Sequence, residues 1–184
     1  FGMNVVCWGR EGSTARAKAE GFAVAPSREA FFESADVLSL HLIGGGVRSK
    51  WMFNVYVGAL YAEKPTFNAA NLIKSEQIKR MDLHMLRDVG KDKIIESIRE
   101  GFEKNSKAQM PALQARLDQL AAVVPDLKKG DVLSLTYVPE KGVIVGGVAK
   151  ETVIPGKDFG DALFSCWLGP DPADADLKRK LLGG

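Results

Sequence analysis

Apolar and polar positions alternate along this chain in two different rhythms. Over residues 1–42 the apolar runs are short and almost unbroken. MNVVCWG (3–9) lies between glycines and reads as a buried strand. Ser13 can cap a helix through Glu20, which Gly21 ends. FAVAP is a second strand closed by Pro26, Ser27 caps the helix SREAFFES, and DVLSLHL (36–42) is a third buried strand. This β-α-β-α-β order is the pattern of a parallel, doubly wound sheet.

Beyond residue 42 the spacing changes. WMFNVYVGALYAE is a long strand, with Trp51, Phe53, Val55 and Val57 on one face and Met52, Asn54, Tyr56 and Gly58 on the other. Residues 68–74 form a short helix. QIKRMDLHML alternates and sets Met81, Leu83 and Met85 on one side of a half-buried strand. Ile94, Ile95, Ile98 and Phe102 recur at helical spacing over 91–104. Pro111 opens a second helix with Leu113, Leu117, Leu120 and Val124 in one stripe. DVLSLTYVP and GVIVGGVA predict a hairpin, and helices over 158–168 and 173–182 follow. Strands, a helix pair, a hairpin and more helices predict an α+β layer with helices on one face of an antiparallel sheet.

Composition narrows the function classes. The 184 residues suffice for one well-packed domain and a small appendage. A net charge of +2, with lysines and arginines interleaved with acids as in KDKIIESIREGFEK, gives no basic field for nucleic acid. No apolar run reaches the ~18 residues that span a bilayer. No signal peptide is visible, and the chain begins at Phe1, so the compartment stays open. Cys7 and Cys166 have no second thiol or histidine at ligand spacing and read as inert thiols; His41 and His84 read as structural, and no metal site is expected.

GGGVRSK (44–50) raises the question of a phosphate cradle. A P-loop needs a helix after its lysine, and a strand follows here, so that reading fails. A glycine hinge and a binding-site floor stay open. The stretch opens the second of two resemblances. From GGGVRSK through FNVYVGALYAE, HMLRDVGKDK, REGFEKN, KKGDVLSLTYVP, IPGKDFGDALFSCWLG and LKRKLLG, residues 43–184 resemble the chalcone isomerase-like family, in particular its bacterial members. Residues 1–42 resemble the middle of the nucleotide-binding domain of D-isomer 2-hydroxyacid dehydrogenases, without that family's glycine loop or catalytic residues. The pair suggests a chimera, natural or engineered, whose strand 36–42 joins the second domain's sheet.

The chalcone isomerase-like resemblance implies an open-faced β-sandwich with a cleft between sheet and helices. It implies that Arg48 projects into the cleft, where the glycines let the backbone lie close to a ligand. In true isomerases the matching arginine stabilises negative charge, and in fatty-acid-binding relatives it pairs with a carboxylate; Arg48 as a purely structural arginine stays open. Tyr56 falls where the fatty-acid binders carry a tyrosine. True isomerases place a tyrosine and an asparagine on the helix facing the substrate, whereas KDKIIESIREGF has neither, so an apolar wall is expected there. The expected function is a non-catalytic binder of a fatty acid or other apolar carboxylate, with its head at Arg48 and Tyr56 and its tail among Phe53, Ile94, Ile98 and Phe102. The alternatives are an intramolecular lyase acting on a phenolic chalcone, with Arg48 and Tyr56 catalytic, or a chimera with no selected function. No cofactor is expected, nucleotide included. Bacterial relatives are often exported, which leaves localisation open, as is oligomeric state.

Overall fold

The computed structural model describes residues 6–7, 11–19, 23–24, 27, 40–50 and 52–184. The chain divides into two compact units, Phe1–Ser39 and Leu40–Gly184. In the first, β1 (Val6–Cys7) pairs in parallel with β2 (Ala23–Val24) across α1 (Glu11–Ala19). This is the expected β-α-β unit, although the helix starts at Glu11 rather than after Ser13. The expected helix SREAFFES and residues 36–39 lie outside the described residues.

The second unit is a six-stranded antiparallel sheet in which neighbours in sequence are neighbours in space. Its strands are β3 (His41–Lys50), β4 (Phe53–Ala62), β5 (Lys79–Met85), β6 (Val132–Val138), β7 (Gly142–Gly147) and β8 (Thr152–Ile154). Between them lie α2 (Ala69–Lys74), α3 (Lys91–Ser106) and α4 (Met110–Val123); α5 (Lys157–Leu168) and α6 (Ala175–Leu181) follow the last strand. β8 is too short to announce itself in the pattern, and β3 runs on through GGGVRSK, where the expected strand stopped at residue 42; the other elements of this unit fall within a few residues of expectation. No helix among the described residues is long and apolar enough to cross a membrane.

Pleating sends alternate residues to one face. Leu60, Met81, Leu83, Leu133, Leu135, Val143 and Val145 are buried there, along with Leu113, Leu117, Leu120, Phe159, Leu163 and Phe164 from the helices. α3 and α5 approach closely because Gly101 faces Cys166: a Cβ on Gly101 would stand 2.5 Å from its sulfur. Cys166 is buried, and desolvation pushes its thiol well above the usual range, so it is the inert thiol expected.

β3 changes the meaning of the glycines. The strand runs straight through GGGVRSK, with Gly44 opposite Leu60, Gly46 opposite Gly58 and Arg48 opposite Tyr56. A Cβ on Gly44 would lie 2.3 Å from the Lys180 carbonyl oxygen, and one on Gly46 would lie 2.9 Å from the Lys180 side chain. The close approach that these glycines permit is therefore to the chain's own helix α6, rather than to a ligand as expected. A hinge is excluded by the same pairing.

Candidate functional site

Past the ground occupied by α6, the inner face of β3 and β4 ends at Arg48 and Tyr56. They are cross-strand partners, and a bulge falls between Arg48 and Ser49, where such irregularities commonly redirect a side chain. The Arg48 guanidinium lies 5.8 Å from the centre of the Tyr56 ring, within cation–π range. It also donates to Ser97 Oγ of α3 at 3.0 Å. Among the described residues it has no carboxylate partner; a part-buried cation held only by neutral groups is prepared for an anion.

Tyr56 is buried, and its hydroxyl oxygen accepts a 2.8 Å hydrogen bond from Trp167 Nε1 of α5. Burial raises its pKa, an effect larger than the opposing pull of Arg48, so the phenol keeps its proton. With its oxygen engaged by Trp167, that O–H can donate to a group beside Arg48.

Two connected spaces meet at this pair. A small inner pocket of about 60 Å³ is lined by Tyr56, Leu83, Met85, Ile94, Ile98 and Trp167, among others. An open outer cleft of about 350 Å³ has Phe53, Val55 and Val89 beside charged Lys50, Arg87 and Lys93. Arg48, Val55, Val89, Lys93 and Ser97 border both, so Arg48 stands at the neck. The inner pocket has room for a few water-sized groups, since one water needs ~10–15 Å³.

Of the residues expected at the site, Arg48, Tyr56, Ile94 and Ile98 come together at the inner pocket, and Phe53 lies farther out in the cleft. Phe102 does not join them. It is wholly buried one turn on from Ile98, its ring centre 5.5 Å from that of Phe159, in the core between α3 and α5. The wall on α3 is also less apolar than expected, because Lys93, Ser97 and Glu100 reach the cleft. Sequence reasoning missed Ser97 and Trp167. Their roles depend on tertiary approach: Ser97 is 49 residues from Arg48 and Trp167 is 111 from Tyr56.

The sequence model described as chalcone isomerase-like matches residues 32–183. The chain belongs to the chalcone isomerase-like family. The match begins before β3 and takes in the run 36–42. A fatty-acid binding protein of Arabidopsis thaliana is similar in structure, with a TM-score of 0.63 and 14% identity, covering 80% of this chain and 88% of that one. At that identity the likeness speaks for the fold, an open antiparallel sheet with helices packed on it, as expected for the family. No curated protein matches this chain.

Proposed function

We propose that this family member binds a fatty acid or another amphipathic carboxylate and is not a catalyst. The observation that carries the reading is the pairing at the neck: a cation without a carboxylate beside a buried phenol that retains its proton. An anion is the ligand that satisfies both, accepting from Arg48 and from the Tyr56 hydroxyl at once. The inner pocket admits the carboxylate and its first carbons against Ile94 and Ile98, and the rest of the chain lies along Val55, Val89 and Phe53. The fatty-acid binding of the Arabidopsis relative agrees with this reading.

Isomerase activity needs donors aimed at the charge that develops on the substrate. α3 brings Lys93, Ser97 and Glu100 to the cleft, and its stretch KDKIIESIREGF carries neither the tyrosine nor the asparagine of the true isomerases, so no flavanone-forming turnover is expected. The dehydrogenase-like segment 1–42 belongs to this proposal as scaffold ahead of the binder, with no nucleotide role.

Calorimetric titration of the full chain with a long-chain fatty acid tests the assignment. A charge-assisted hydrogen bond contributes ~1.5–3 kcal/mol, so Arg48→Ala weakens binding about tenfold or more. Equal affinity in the two proteins would sink the assignment.

A further inference from the structure

The hairpin joining β3 to β4 ends in an exposed apolar tip at the edge of the cleft. Lys50 pairs with Phe53 across a two-residue connection. Met52, in that connection, is 93% exposed, and Phe53 is 60% exposed, so two large apolar side chains project at one tip. The tip is held in place, since Ser49 Oγ donates to Asn54 Oδ1 at 2.8 Å just behind it. Arg87 sits 4.8 Å from the centre of the Phe53 ring. Neither Lys50 nor Arg87 has an ion-pair partner among the described residues. Of the acids that line the cleft, Asp88 pairs with Lys128 and Glu96 with Lys93, and Glu100 has no ion-pair partner among the described residues. Apolar side chains flanked by uncompensated cations suit an interface that is apolar within and anionic at its surface.

Position adds the second argument. Lys50, Phe53 and Arg87 also line the outer cleft, so the tip forms one lip of the mouth that leads to Arg48. The geometry points to this hairpin as the docking point on an anionic lipid bilayer, seating Met52 and Phe53 among the acyl chains and Lys50 and Arg87 among the headgroups. Docked in this way, the mouth opens at headgroup level. An amphipathic carboxylate enters head first toward Arg48 and draws its chain out of the bilayer without crossing water. Only the cargo in this inference rests on the fatty-acid reading; docking itself does not.

The test is co-sedimentation of the full chain with vesicles of phosphatidylglycerol and phosphatidylcholine in equal parts, and with vesicles of phosphatidylcholine alone. Binding to the anionic vesicles that weakens as salt is raised is the expected result. Met52→Asp, at an exposed site outside the cleft lining, lowers that binding about tenfold or more, and Met52→Leu retains it. Absence of binding to anionic vesicles, or equal binding by Met52→Asp, overturns the proposal. So does a self-association in solution that Met52→Asp abolishes while vesicles are ignored, since the tip is then a contact between copies. If vesicles bind as expected while Arg48→Ala titrates fatty acid like the parent, the ligand assignment fails and the docking surface stands.

Discussion

Tyr56 acts in two directions at once. Its oxygen receives the Trp167 N–H, and its own proton is available to a ligand beside Arg48. Tyr56→Phe removes both roles. The buried Trp167 donor is left without a partner, which costs ~1–3 kcal/mol, and the ligand loses a donor. A lower melting temperature together with weaker fatty-acid binding is expected from thermal scans and titration of the same variant. A normal melt with weakened binding would mean that Trp167 has found another acceptor. Because burial holds the phenol's pKa above its ordinary 10.0, binding by the parent should persist through the pH at which an exposed tyrosine ionises. Arg48 and Tyr56 were legible in the sequence because a motif carried them. Trp167 and Ser97 looked like ordinary helix residues, and only the folding of α5 and α3 over the sheet gives them a role. Phe102 misled for the converse reason: helical spacing groups it with Ile98, but one further turn carries it from pocket wall into core.

At the scale of elements, the most exacting contact is between β5 and the end of α2. Lys79 occupies a core position beside Met81 and Leu83, and its side chain is inaccessible to solvent. Its ammonium donates to the carbonyls of Leu72, Ile73 and Ser75, the groups that the last turn of α2 leaves without partners. The Tyr137 and Phe164 rings lie 4.8 and 5.5 Å away. Burial foremost, and then the Lys157 charge, lower its pKa from 10.5 to about 8. The unfolded chain therefore binds more protons than the folded one between those values, and stability rises with pH across that window. The gain amounts to a few kcal/mol, absent below about pH 8. Denaturant melts from pH 8 to 10 should show it in the parent and lack it in Lys79→Met; equal slopes would place the burden on another group. Binary patterning showed β5 as a strand with Met81, Leu83 and Met85 inward, and could not show that a lysine in phase with them also turns inward, because its partners are the carbonyls at the end of α2 and, at 4.0 Å, the Asp161 carboxylate of α5. The glycines of β3 were likewise visible, but α6, whose approach they permit, lies too far along the chain to be read from them.

For the whole molecule, the boundary between the units falls at Ser39, just before the sheet begins. His41 and Leu42 pair with Ala62 and Tyr61, so removing residues 1–34 should leave the melting of the sheet nearly unchanged, whereas removing 1–42 strips backbone partners from the end of β4. Calorimetric scans of the two truncations decide this, and identical melts would mean that those pairings contribute nothing. The seating of α6 against Gly44 and Gly46 also bears on how the protein is made. The sheet grows in chain order from β3 to β8, yet the helix that covers its first strand comes last. On a ribosome adding ~5–20 residues per second, the 134 positions from Gly46 to Lys180 take about 7 to 27 s to appear. For that interval the nascent chain holds a bare glycine track beside Arg48 and Tyr56. A synonymous slow codon placed ahead of α6 would lengthen the exposure, and the yield of folded protein would fall with no change in any residue.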